Sequence, residues 1–205
     1  MADAALTHTG HEFDHSEPRN SQNESLLFDS PVLVWCSECL LFGGLISTYF
    51  LYRGRIGTGP GPAELWDIPF TSVSSFVLLM SSLTMVLAVS AARRGDDYRM
   101  RLWLGCTALL GASFVGGQVY EFTVFYREGL GYSTSLFGSS FYTLTGFHGA
   151  HVTVGIIMLM SLVLITLRDR LPGSKPEVVE LIGLYWHFVD IVWIVIFTLV
   201  YLIPA

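Results

Sequence analysis

Five long apolar runs separated by short polar connections organise this chain. They cover residues 31–52, 70–92, 102–125, 136–167 and 181–203. About 20 apolar residues in a helix cross the hydrocarbon core of a bilayer, so each run predicts one transmembrane helix. The expected fold is all-α: a polytopic membrane protein built as a bundle of five transmembrane helices. Ser30 and Pro31 suit the N-cap and first turn of the first helix. The connections carry turn chemistry: residues 54–69 are rich in glycine and proline, with Trp66 placed for the interface, and Pro172-Gly173 marks the last turn. The segments at 93–101 and 126–135 are short, the first of them basic. No internal repeat is visible, which removes support for an inverted-repeat transporter.

Composition agrees with the pattern. The chain has 205 residues, of which 52% are hydrophobic and 14% charged, against roughly 25% charged in soluble domains. Residues 1–30 are polar and lack the apolar core of a signal peptide, so no cleaved signal is expected there. They read as a disordered or extended cytoplasmic tail ahead of a membrane domain at 31–205. Many of the acids behind the net charge of −6 lie in this tail. His8, His11 and His15 stand among its acids, and the tail reads as a solvated acidic segment rather than a metal site. Arginine and lysine set the expected orientation. Arg19, Arg93, Arg94, Arg99, Arg101, Arg168, Arg170 and Lys175 fall on one side, and Arg53, Arg55 and Arg127 on the other. The N-terminus is therefore expected in the cytoplasm and the C-terminus outside.

Six ionisable groups lie inside the apolar runs: Glu38, Glu121, His148, His151, His187 and Asp190. A charge near mid-helix costs about 3 kcal/mol on insertion scales, so each must face protein, find a partner or serve a proton or ligand path. His187 and Asp190 are three apart on one helical face, between Trp186 and Trp193, and are expected to form a hydrogen-bonded unit. Glu121 lies near the outer end of its helix, where it can cap, anchor or hold a proton. His148 and His151 are one turn apart, suited to carbonyl bonding in the core. Glu38 sits about 10 Å inside its helix by helix rise, and a lone carboxylate there is protonated or paired. His151 lies at similar depth and is its expected partner. Metal binding needs three or four converging ligands, and carboxylate di-metal bundles use Glu-x-x-His. This chain offers His-x-x-His, so no metal is expected. Cys36, Cys39 and Cys106 read as buried, inert thiols. Gly138-Ser139-Ser140-Phe141 does not supply the nucleophile frame of a hydrolase, and no spacing favours haem ligation by His148 or His187.

Three segments carry a resemblance: Ser37-Glu38-Cys39-Leu40-Leu41-Phe42, Gly146-Phe147-His148-Gly149-Ala150-His151-Val152, and Tyr185 to Trp193 with its Trp-His-Phe-Val-Asp core. Together with Thr71-Ser72-Val73 and Gln118-Val119-Tyr120-Glu121 they resemble the signature segments of subunit III of haem-copper terminal oxidases. Longer members of that family have seven helices; the pattern here is similar to the short five-helix bacterial form. The resemblance implies a non-catalytic subunit, most simply of a cytochrome c oxidase, with no redox centre, haem or copper of its own. Its implied partners are the catalytic subunit I, subunit II and membrane lipids, with phospholipids bound in a cleft between helices and no nucleic acid. The implied role is to support stability and proton uptake while the catalytic subunit reduces oxygen to water, in a bacterial plasma membrane. Glu38 matches the family's carbodiimide-reactive carboxylate, and the other five ionisable residues match its buried polar positions. The histidine-bearing tail, Glu64-Leu65-Trp66-Asp67-Ile68-Pro69-Phe70 and the ending Val200-Tyr201-Leu202 resemble the five-helix subunit of bacterial quinol oxidases, whereas Glu38, where that subunit tends to have aspartate, looks more like the cytochrome c oxidases, so the two marks point to different electron donors. A rival of another class is a stand-alone proton-coupled carrier using Glu38.

Overall fold

A computed structural model describes residues 19–54, 67–168 and 176–203, with side chains from Trp35 onward. Five helices follow in order: α1 Arg19–Tyr52, α2 Ile68–Arg93, α3 Asp97–Arg127, α4 Leu136–Leu167 and α5 Pro176–Phe197, the last ending in a wider π-helical turn at Thr198–Leu202. Four of them, α2 to α5, are long and apolar enough to cross a membrane, and the chain is a multi-pass membrane protein. The chain divides into two units, Met1–Cys39 and Leu40–Ala205. The first contributes the described residues 19–39 of α1. Helix α1 begins at Arg19, so its first turns fall within the 1–30 segment expected to be an extended or disordered tail. Pro31 accordingly lies inside the helix rather than at its first turn.

The second unit is a ring in which α2 packs on α3, α3 on α4, α4 on α5, and α5 back on α2. The described end of α1 meets α4 through Phe42, whose ring stands edge-on to His151 at 5.2 Å, and through Tyr49, 6.0 Å from Phe137. At the far ends of the same unit the Arg53 guanidinium donates to the Ile203 carbonyl.

Local chemistry sets the helix ends. Asp67, Asp96 and Ser135 cap α2, α3 and α4 by accepting from the amides of Phe70, Arg99 and Gly138. Helices α2 and α3 both stop in the glycine motif that returns two amides to the last turn. Gly95 takes φ 70° while Asp96 N donates to Ala91 O at 3.1 Å; Gly129 takes φ 95° while Leu130 N donates to Phe125 O at 3.0 Å. A side chain at either glycine would strain the turn.

The faces of α2 show how a helix packs in a lipid solvent. Its buried residues are Thr71, Ser75, Leu78, Ser81, Met85, Ala88, Ala91 and Ala92. Its exposed ones include Val73, Phe76, Leu83 and Val86. Small and polar side chains thus face protein and bulky apolar ones face outward. Lipid tails solvate the latter, while close helix approach needs the former.

Candidate functional site

The polar groups of α5 converge on α2. Trp186, His187, Asp190 and Trp193 occupy one face of α5 at helical spacing, and α2 presents Ser75, Ser81 and Ser82 to it. The Trp186 indole N–H donates to Ser81 Oγ at 2.9 Å, and the Trp193 indole N–H to Ser75 Oγ at 2.9 Å. Between them, Ser82 Oγ lies 2.9 Å from His187 Nδ1 and donates to Asp190 Oδ2. His187 and Asp190 are therefore joined through a serine hydroxyl. Asp190 is 3% exposed, and its Oδ1 accepts no hydrogen bond.

Glycines give the tryptophans their room. A Cβ on Gly111 of α3 would stand 2.5 Å from the Trp186 ring, and one on Gly155 of α4 would stand 2.9 Å from it. Trp186 is thus clamped by two helices while it bonds a third. Real Cβ atoms do not approach a ring that closely, so both positions require glycine for packing rather than for backbone freedom.

The remaining candidates stand apart from this seam. Glu121 is buried near the end of α3, where Thr71 Oγ1 donates to its Oε1 at 2.8 Å and the Tyr201 hydroxyl is a second partner. His148 is fully buried; its ring stacks on Trp193 at 4.8 Å and 25°, edge-on to Phe114 at 5.9 Å, with neither ring nitrogen hydrogen-bonded. His151, one turn on, is half-buried on the side of Phe42. Its Nδ1 lies 2.7 Å from the Phe147 carbonyl, and its own carbonyl accepts from the Tyr185 hydroxyl at 3.0 Å. Glu38 is half-exposed on α1 and belongs to the first unit, whereas His151 belongs to the second. Among the described residues no three histidine, cysteine or acidic side chains converge as metal ligands. Cys36 and Cys39, expected buried, are exposed, and Cys106 is half-buried. The serines at 75, 81 and 82 escaped sequence reasoning, and Thr71 and Tyr201 were given no site role there. Helical spacing alone does not mark these serines, because α2 also carries Ser72, Ser74 and Thr84.

Comparison with known proteins decides what this arrangement belongs to. Residues 30–204 match the family model described as cytochrome c oxidase subunit III. The chain belongs to the cytochrome c oxidase subunit III family. It is 40% identical over 165 residues to cytochrome c oxidase subunit 3 of Bacillus sp. (strain PS3), which is 80% of each chain. It is 43% identical over 169 residues to quinol oxidase subunit 3 of Bacillus subtilis (strain 168), 81% of each chain. It is also 35% identical over 196 residues to cytochrome bo(3) ubiquinol oxidase subunit 3 of Pseudomonas aeruginosa, 96% of this chain and 92% of the relative. The chain is accordingly a subunit III of haem-copper terminal oxidases, a family that itself carries no redox centre, and catalytic oxidase subunits are its partners. Its relatives span both electron-donor types.

Proposed function

We propose that this chain is the accessory third subunit of a bacterial plasma-membrane oxidase, seated against catalytic subunit I and subunit II. In that reading residues 31–205 form the five-helix membrane domain, with α1 as its first span, and residues 1–30 lie on the cytoplasmic side with the basic connections. Haem and copper reside in the partner subunits, and phospholipid fills the surface between helices. Glu38, Glu121, His148, His151, His187 and Asp190 are the proton-linked or buried polar groups through which the subunit sustains proton uptake during oxygen reduction. The family match over residues 30–204 carries the assignment. Supporting the proton-linked role is the cost of six ionisable groups in apolar helices.

Cytochrome c is the proposed donor. Quinol is a second reading, favoured by the alignment over 96% of this chain with a ubiquinol oxidase subunit. Oxygen uptake by the intact complex, purified through a tag on this chain, tests both. Turnover with reduced cytochrome c but not quinol supports the first, the converse supports the second, and turnover with neither removes the oxidase assignment. Reporter fusions at Met1 and Ala205 test the orientation, and an external N-terminus would overturn it. Glu38→Gln should leave the complex assembled and active with at most a modest loss of turnover, because Glu38 is proposed as an accessory proton holder. Complete loss of pumping with assembly intact would contradict that role.

A further inference from the structure

A cleft of about 520 Å³ opens between α2 and α5, lined by Val86, Val89 and Leu184 and reaching His187. At its rim Arg93 Nε donates to Glu180 Oε1 at 2.6 Å. These two, from α2 and α5, are the charged groups facing the cleft, and α4 contributes no lining residue. Ser82 lies eleven residues along α2 from Arg93, about 16 Å by helix rise. The cleft has room for several waters at about 30 Å³ each, and it ends where a half-buried imidazole, a hydroxyl and a buried carboxylate touch in series.

We propose that this cleft is the mouth of a proton relay, in which His187 and Ser82 pass protons between water at the basic end of the bundle and Asp190. The geometry gives the relay its direction. With Asp190 ionised, Ser82 donates its hydroxyl proton to Asp190 Oδ2, and the His187 Nδ1 contact at 2.9 Å is then a donation from the ring to Ser82 Oγ. The neutral ring then has Nε2 as its acceptor. A proton taken up at Nε2 from cleft water releases the Nδ1 proton to Ser82 Oγ, whose own proton moves to Asp190 Oδ2. The outcome is a neutral Asp190, an unchanged Ser82 and the other neutral tautomer of His187. Reversal returns the proton to the cleft, and no oxidant or reductant is needed. A serine that only tied two helices together would need no imidazole at the end of an open cleft.

This relay rests on the oxidase reading for its setting. It is tested by infrared spectroscopy on the purified complex transferred from H2O to D2O. The carboxylic C=O band of Asp190 is identified by its loss in Asp190→Asn, and its deuterium shift is followed in time. His187→Phe and Ser82→Ala should each slow the shift by about 100-fold, the low end of what a positioned proton-transfer group supplies. His187→Gln keeps a hydrogen-bonding side chain but has no second titratable nitrogen, so it should slow the shift likewise in a complex that assembles. Wild-type exchange in assembled His187→Gln would overturn the relay, as would the absence of any Asp190-dependent carboxylic band over the pH range in which the complex is stable. Haem absorbance in the same sample reports separately on the oxidase reading: its absence defeats that reading, whatever the exchange rate shows.

Discussion

The α2–α5 interface and the α3–α4 interface lie in one ring of helices and are held by different physics. Across α2–α5, five side-chain bonds join Trp186 to Ser81, His187 and Asp190 to Ser82, Trp193 to Ser75 and Arg93 to Glu180. Across the half of α3–α4 that ends at Arg127, rings meet rings: Phe122 and Phe125 of α3 contact Phe141 at 6.3 and 5.8 Å, and Phe122 meets Tyr142 at 4.9 Å. The side-chain bonds there run to backbone carbonyls, from Gln118 to Thr145 O and from the Tyr142 hydroxyl to Phe122 O. In a bilayer, apolar contact between helices carries little driving force over contact with lipid. Aromatic packing therefore fills space and tolerates exchange of ring for ring. Directional bonds fix register instead, because a slide of one turn, about 5.4 Å, breaks all of them at once. The polar seam is where α2 and α5 are held in register, and it is also where the proposed relay lies.

The sharpest way to break this contrast is Gly111→Leu. Its Cβ would stand 2.5 Å from the Trp186 ring, so the ring must leave its place between three helices. Overpacking costs typically ~1–3 kcal/mol and occasionally more, and this variant should show the largest loss of the chain from detergent-purified complex. Next comes Asp190→Ala, which strips the Ser82 hydroxyl of its acceptor. Leaving such a group unpaired costs roughly 1–3 kcal/mol, and retention should fall further than in Asp190→Asn, which keeps an acceptor oxygen. Equal, wild-type retention of both would count against a seam built on that bond. Trp193→Phe removes one interhelical bond, on average about 0.6 kcal/mol in a membrane, together with the stacking surface of His148. A thermal midpoint lowered by a few degrees is expected. Phe122→Met should have the smallest effect, below the ~1.5 kcal/mol typical of size-matched apolar exchange. If it destabilised the complex as much as Asp190→Ala, the distinction between the two interfaces would collapse.

Much of the fold was legible because lipid imposes its length on apolar runs. The runs at 70–92, 102–125, 136–167 and 181–203 each became a helix. Their ends moved outward where polar residues could continue the backbone bonding: α3 starts at Asp97 under the Asp96 cap, and α5 at Pro176. Helix α1 was the exception, starting at Arg19, because a polar stretch holds no run by which hydrophobicity could mark it. Of the site, Trp186, His187, Asp190 and Trp193 were visible as expensive or bulky groups on one face. Their serine partners were not, since a serine in a helix satisfies itself on the preceding turn's carbonyl, as Ser75 does on Thr71 O. Nothing in spacing tells such a serine from one that also receives an indole. Nor does spacing separate His148, buried against Trp193, from His151, half-buried beside Phe42: one turn apart, their rings face different helices, α5 for His148 and α1 for His151.

The central claim is that this chain works inside an oxygen-reducing complex, and the most direct measurement is a reduced-minus-oxidised spectrum of whatever a tag on the chain draws from native membranes in mild detergent. The account predicts haem absorbance in constant ratio to the chain through successive purification steps, and a lower ratio of chain to haem when the complex is isolated through a catalytic subunit carrying Gly111→Leu in its partner. A folded, homogeneous chain recovered free of haem, from membranes that retain oxidase activity, would contradict it.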